Sequence, residues 1–334
     1  ATSSASRRRT TPSSTSRPKP TSTGARPTSA GSPATATSST GRSATAVKDE
    51  DFVEHLLIAN THDTILLFSN VGKVYWMKVF HIPIAGRGSR GRPVVNMLPL
   101  DQGERITSIL PVAEYLEDHY IFMATASGIV KKTALTDFSR QRSVGLRAIE
   151  LDEDDVLIGT AITDGASDVL LVSSEGKTVR FKETAVRAMG RTARGVRGIK
   201  MGENQHLIAL MIPRADGRVL TVSEHGYGKR THVDEFPVKG RGTQGVIGMQ
   251  TSERNGRLVG AIQVDAGNEM MLISDQGTLV RCRTDEVSEL GRNTQGGRVI
   301  RLKEGESLVS VARIEDTDSE DADEPAAEEG SSES

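Results

Sequence analysis

Residues 167–200 read SDVLLVSSEGKTVRFKETAVRAMGRTARGVRGIK. Two apolar runs, Val169–Val172 and Lys177–Phe181, flank a short polar link that holds Ser173 and, three places later, Gly176. Val, Leu and Phe on either side of such a link predict a β-hairpin, with the glycine supplying positive φ where the chain reverses. Fourteen residues beyond that glycine, Gly190-Arg191 opens a second signature that closes on Gly195.

The same pattern recurs about every fifty residues. The hydroxyl/glycine anchors are Ser69/Gly72, Thr125/Gly128, Ser173/Gly176, Ser223/Gly226 and Ser274/Gly277. The second signature recurs at Gly86-Arg87 with Gly91, Gly240-Arg241 with Gly245, and Gly291-Arg292 with Gly296. In the second copy it shrinks to Arg142 and Gly145. A further apolar stretch closes each repeat: Arg105–Pro111, Val156–Ala161, Leu207–Ile212, Leu258–Val264 and Ser307–Val311. No segment has helical length and a 3.6-residue period. Short strands in units that cannot bury their apolar faces alone predict an all-β, propeller-like array.

Charge divides the chain into three zones. Residues 1–48 hold eight Lys or Arg and no acid, and residues 315–334 hold ten Asp or Glu and no base. The body between them is balanced, so a binding face must come from how its charges are sorted. Residues 1–41 are Ser-, Thr-, Pro- and Ala-rich with scattered Arg, and they are expected to be disordered, as is the acidic tail 315–334. The folded domain is expected over 42–314. The tail reads as a solubilising segment or as an internal polyanion that competes for the cations of the body. Cys282 is the only cysteine, which excludes an internal disulfide, and the seven histidines lack zinc-ligand spacing. With no apolar run near membrane-span length and no signal-peptide pattern, a cytoplasmic protein is expected. Asp152–Asp155 lacks the spacing of a calcium loop and reads as an acidic turn.

The strand after each anchor glycine carries the functional expectation. Its fourth position holds Trp76, Lys132, Arg180, Arg230 and Arg281, and its sixth holds Lys78, Ala134, Lys182, His232 and Arg283. Residues two apart share a face of a strand, so these cations are expected on an outward belt, and Lys131 and Lys229 are counted with them among the candidate binding residues. The Gly-Arg loops add Arg87, Arg90, Arg92, Arg142, Arg147, Arg191, Arg194, Arg197, Arg241, Arg292 and Arg298, and Arg42 lies upstream. A repeated cation belt suits a polyanion held through its phosphates, largely regardless of base sequence. A protein-interaction propeller of the WD40 or kelch kind is disfavoured, because the WD signature is absent and the recurring positions are cationic. A propeller enzyme is disfavoured for want of a convergent acid, histidine or metal set.

The stretches LLIANTHDTILLFSNVGKVYWMKVFHIP, GRGSRGRPVVNMLPL, EGKTVRFKETAVRAMGRTARGVRGIK and GRNTQGGRVIRL closely resemble the C-terminal domain of the DNA gyrase A subunit. The resemblance runs from about Gly41 to Ile314. It implies a six-bladed β-pinwheel that bends duplex DNA around its edge with a fixed hand, so that an ATP-driven holoenzyme introduces negative supercoils. It also implies partners, the rest of gyrase A and gyrase B in an A2B2 complex, a nucleoid-associated location and a monomeric isolated domain. The C-terminal domain of the topoisomerase IV A subunit is the near alternative. No cofactor is expected in this chain, since no Walker loop is present; ATP and Mg would belong to other parts of the holoenzyme.

Two departures stand out. The family's first blade carries a basic, glycine-rich heptad of the QRRGGRG kind, whereas the residues upstream of Arg42 read SAGSPATATSSTG. Five complete blades and a compromised first one are therefore expected, with Gly86–Arg92 the nearest look-alike of the heptad. The family's DNA-linking tyrosine belongs to another region, and none of Tyr75, Tyr115, Tyr120 or Tyr227 stands in its context.

Overall fold

The chain is seen in a computed structural model that describes residues 59–84 and 92–314. The first repeat forms β1 (Thr64–Ser69), β2 (Lys73–Lys78) and β3 (Ile106–Val112). The second forms β4 (Tyr120–Thr125), β5 (Ile129–Ala134), β6 (Leu146–Arg147) and β7 (Leu157–Thr163). The third forms β8 (Asp168–Ser173), β9 (Lys177–Lys182), β10 (Val196–Arg197) and β11 (Leu207–Met211). The fourth forms β12 (Arg218–Ser223), β13 (Tyr227–His232), β14 (Val246–Ile247) and β15 (Leu258–Val264). The fifth forms β16 (Glu269–Ser274), β17 (Leu279–Arg283), β18 (Gly297–Arg298) and β19 (Leu308–Ile314). The expected hairpins are all present.

The anchor hydroxyl and glycine work together. Ser173 Oγ accepts from the Lys177 amide at 3.1 Å while the Gly176 amide donates to the Ser173 carbonyl at 3.0 Å, closing the reversal twice. Gly176 sits at φ +71°, and its glycine identity has a second cause: a Cβ there would lie 2.0 Å from the Met249 carbonyl of the next repeat. The anchor is thus both a turn and a docking point.

Pairing order is β3-β1-β2-β6, β7-β4-β5-β10, β11-β8-β9-β14, β15-β12-β13-β18 and β19-β16-β17. The fourth strand of each complete sheet comes from the following repeat, so the second to fifth repeats each lend two residues to their predecessor. Lys73 and Val74 face Arg147 and Leu146, and Tyr227 and Gly228 face Arg298 and Gly297. Strands β3, β7, β11, β15 and β19 touch in succession and form the hub, which leaves the lent strands at the rim.

Alternation in β1 sends Leu66 and Phe68 to one face and Ile65 and Leu67 to the other. Leu66 and Phe68 pack with Ile121, Met123 and Phe138 of the second sheet, and Phe122 packs with Leu171 and Phe181 of the third. The cores therefore lie between sheets, and the first strand of each hairpin is buried on both faces in the first four repeats. Truncating such a phenylalanine to alanine costs about 3–5 kcal/mol.

Five sheets stand among the described residues, where six blades were expected. The expected remnant of a first blade, Gly41–Asn60, lies outside the described residues up to residue 58, as do Arg42 within it, Arg87 and Arg90 of the Gly86–Arg92 loop, and the expected disordered segments. No helix among the described residues is long and apolar enough to cross a membrane.

Candidate nucleic-acid interface

In the first four repeats the fourth position of the strand after the anchor is engaged between sheets and not presented to solvent, and for those four that expectation is corrected. Trp76 Nε1 donates to the Phe138 carbonyl at 2.8 Å. Lys132 is buried; its Nζ lies 3.4 Å from the Glu183 carbonyl and 3.6 Å from the buried Glu183 carboxylate, and 4.7 Å from the Tyr120 ring centroid. Arg180 Nη1 donates to the carbonyls of Val233 at 2.9 Å and Phe236 at 3.3 Å, while its Nη2 meets Asp168 at 2.7 Å. Arg230 donates from Nε to the Val287 carbonyl at 2.8 Å and from Nη1 to Asp285 at 3.0 Å. Each carbonyl acceptor lies on or beside the one-turn 3-10 segment that follows the next repeat's hairpin, whereas Asp168 belongs to Arg180's own sheet. The position is a rivet between sheets, filled by whichever side chain brings an N–H that far. Arg281, in the last repeat, is exposed and pairs with Glu269 of its own sheet.

Lys131 and Lys229 are also corrected: both are fully buried. Lys131 Nζ donates to the carbonyls of Ala148 at 2.7 Å and Arg191 at 2.5 Å. Lys229 Nζ donates to the carbonyls of Gly291 at 2.7 Å and Arg292 at 2.5 Å and to Thr294 Oγ1 at 3.1 Å. Burial pushes both amines down to about 8.

The leading arginines of the Gly-Arg loops lie over the edge of the preceding sheet and are partly exposed. Arg191 Nη1 donates to the Asp137 carbonyl at 2.7 Å, and Arg241 to those of Ala185 at 2.9 Å and Arg197 at 3.1 Å. Arg292 Nη1 reaches the Ile247 carbonyl at 2.9 Å. These bonds leave part of each guanidinium's five-donor fork open.

The lent strands and the loops ahead of them carry the exposed cations. Arg147, Arg197 and Arg298 hold the second position of β6, β10 and β18 and are all exposed. None of the three makes an ion pair among the described residues. Arg298 donates to the Tyr227 hydroxyl at 2.9 Å, and Arg254 lies 4.9 Å from the centroid of the same ring. Hydrogen bonds from Arg254 and then Arg298 hold the Tyr227 phenol below its usual range. Arg92 and Arg142 are exposed as well. Arg194 is exposed but engaged with Asp152 at 2.6 Å and Glu150 at 3.8 Å.

The sixth-position cations are mixed. Lys182 and Arg283 are exposed, the former 2.7 Å from Asp168, and Lys78 Nζ donates to the His62 carbonyl at 3.3 Å. Exposed Arg140, Arg187, Lys200 and Lys239 also belong to the rim segments. They do not repeat at a fixed offset, so the periodic reading passed over them. Asp155 in the acidic turn caps Ser127, accepting from its amide at 2.9 Å and its hydroxyl at 2.5 Å, which accounts for that residue structurally.

A family model described as DNA gyrase C-terminal domain, beta-propeller, matches residues 63–113, 119–164, 167–214, 217–265 and 268–315, one segment per sheet. The DNA gyrase A protein of Salmonella typhimurium is 57% identical over 284 residues, covering 85% of this chain and 32% of its own length. The Escherichia coli counterpart is 54% identical over 284 residues with the same coverages, 85% and 32%. The chain thus spans about a third of the length of these relatives. A solved structure of a DNA gyrase A C-terminal domain is 28% identical with a TM-score of 0.66, covering 77% of this chain and 84% of that one. A crystal structure of a DNA topoisomerase IV C-terminal domain is 25% identical with a TM-score of 0.72, covering 80% and 85%.

Proposed function

The chain belongs to the DNA gyrase C-terminal domain family, and on that premise we propose that it binds duplex DNA along its rim, bends it and wraps it with one hand. The observation that carries the reading is the recurrence of exposed Arg147, Arg197 and Arg298, without carboxylate partners among the described residues, on the strands that close the first, second and fourth sheets. Guanidinium groups in that setting suit phosphate oxygens, which accept two parallel N–H bonds from one fork.

Bending 20–30 base pairs by 40–90° costs on the order of 1–6 kcal/mol, so several phosphates must be held together. Spacing one cation set per sheet distributes that cost along the duplex. The hand of the wrap then follows from how successive rim segments are offset, which the rivets and lent strands hold rigid. In this reading the chain performs no reaction itself. It presents DNA to the strand-passage core of a gyrase holoenzyme built from the rest of gyrase A and from gyrase B. Identities of 57% and 54% with gyrase A relatives favour gyrase over topoisomerase IV.

The test is ligation of a nicked circular plasmid with increasing protein, followed by removal of the protein and measurement of linking number. A positive shift supports chiral wrapping. DNA binding with no shift would reduce the proposal to holding and bending, and no binding would remove it.

A further inference from the structure

Lys131 and Lys229 stand at the same place in β5 and β13, three residues after the anchor glycine, where the first repeat has Tyr75 and the third and fifth have Val179 and Val280. An ammonium is costly to bury unless its protons are matched. Here they are matched almost wholly by main-chain carbonyls: for Lys229 those of Gly291 and Arg292 in the Gly-Arg loop of the next repeat, and for Lys131 that of Arg191 in the next loop together with that of Ala148 in its own repeat. Those carbonyls have no strand partner, because the loop leaves the ladder just there.

We propose that Lys131 and Lys229 are positioning residues, each buried amine fixing, through its N–H donors, the Gly-Arg loop of the following repeat where its arginines can meet a polyanion. The reference to a polyanion rests on the DNA-binding reading above; the fixing of the loop does not. Lys131 holds the Arg191 carbonyl, and Arg194 and Arg197 follow in the same segment. Lys229 holds Gly291, Arg292 and Thr294, ahead of Arg298. The loop between these two, Gly240–Gly245, passes over β9, where Val179 offers no donor. It is tied instead by Arg241 to the carbonyls of Ala185 and Arg197. That loop is the internal control.

The charges facing each amine are few. Arg191 disfavours and Asp137 favours the charged form of Lys131, while Arg292 disfavours and Glu235 favours that of Lys229. Desolvation is the larger effect at both and brings the amines from 10.5 to about 8. When a loop lifts away, its lysine meets water and regains its ordinary basicity. The open state then binds more protons than the closed one, so closure strengthens as pH rises from about 8 towards about 10.

The experiment uses the 334-residue chain and reads hydrogen-exchange protection factors of the loop amides at pH 7 and pH 9. For a drop from 10.5 to about 8, protection over 190–195 and 291–296 should rise about tenfold between those pH values, and that over 240–245 should stay level. In Lys131→Met and Lys229→Met the matching loop should lose protection and its pH response while the other loops keep theirs. Equal pH responses in all three loops of the unaltered chain would overturn the proposal, even if a variant fails to fold. So would a folded variant with unchanged loop protection. On a random-sequence duplex each variant should lower the slope of log affinity against log salt by about 1 for every phosphate it no longer holds. If the unaltered chain binds no DNA, the wrapping reading fails while loop protection still decides the role of the lysines. If it binds and a variant with a loosened loop keeps the full slope, the link from lysine to polyanion is overturned.

Discussion

The indole Nε1 of Trp76 donates to the carbonyl of Phe138 across a sheet boundary, at 2.8 Å. Lys132, Arg180 and Arg230 repeat the gesture at the next three boundaries, each reaching carbonyls of the following repeat. What recurs at this position is an N–H donor of sufficient length, and in three of the four it is a cation that also meets a carboxylate. The boundary needs such a donor because the one-turn 3-10 segment after each hairpin ends with carbonyls that no strand satisfies.

Trp76 is the only tryptophan in the chain, so its emission reports the first boundary directly. Trp76→Phe keeps most of the packing and strands the Phe138 carbonyl, for an expected loss of about 0.5–1.5 kcal/mol. Arg180→Ala should cost more, because it strips both guanidinium donors from Oδ2 of the buried Asp168 carboxylate and leaves Lys182 as its ionic partner. Burial works to raise Asp168, but hydrogen bonds from Lys182 and Arg180 outweigh it and hold the carboxyl below its usual range. Urea midpoints of the two variants give the comparison; an Arg180→Ala protein as stable as the parent would show the rivet to be idle.

Rim and rivet cations should separate cleanly in binding experiments. Arg147→Ala, Arg197→Ala and Arg298→Ala should each leave the fold intact and reduce the salt slope of DNA affinity by about 1. Lys132→Met should do the reverse, lowering stability with the slope unchanged, since its ammonium is committed to Glu183. Affinity measured over about 50–200 mM salt decides it. A slope change in the Lys132 variant without loss of stability would return that residue to the binding face.

The hairpins were legible because a hydroxyl three places before a glycine, between apolar runs, has one economical backbone solution. The lent strands were not, because two residues carry no period. Leu146–Arg147 and Gly297–Arg298 become strands only by landing on the edge of another repeat. The outward reading of Lys132, Arg180 and Arg230 failed for a related reason: alternation says which side chains share a face and nothing about what packs on that face. Trp76 at the same offset was the clue, an apolar N–H donor among cations. Arg147, Arg197 and Arg298 were legible only as members of the arginine-rich loops, and the structure places all three exposed at the same position of the lent strands.

The anchor glycines can be split into two jobs by substitution. At Gly103, φ is +78° and a Cβ would meet nothing within 4 Å, so Gly103→Ala should show only left-handed strain, about 1–2 kcal/mol. At Gly176 the added carbon would also strike the Met249 carbonyl at 2.0 Å, backbone that cannot step aside without moving the fourth repeat. Gly176→Ala should therefore cost clearly more than Gly103→Ala in thermal unfolding. Equal losses would mean that the anchor serves the turn alone.

The last sheet offers a test at acid pH. Glu306 is buried, accepts from Ser274 Oγ at 2.5 Å and from the Lys303 amide at 2.9 Å, and so ties the anchor hydroxyl of the fifth repeat to the loop before β19. Hydrogen bonds from Ser274, Thr278 and the Lys303 amide bring its carboxyl from 4.5 down to about 2. A folded-state value below the unfolded one means that the stabilisation is complete above about 4.5 and is lost as pH falls towards about 2. Glu306→Gln removes the titration. The parent should therefore exceed the variant in stability at pH 7, and the gap between their denaturation midpoints should close as pH falls through that window. Asp164, also held at about 2, titrates in both proteins and cancels in the difference. A gap that stays constant down to about pH 2 would show that the carboxylate's charge contributes nothing at this site.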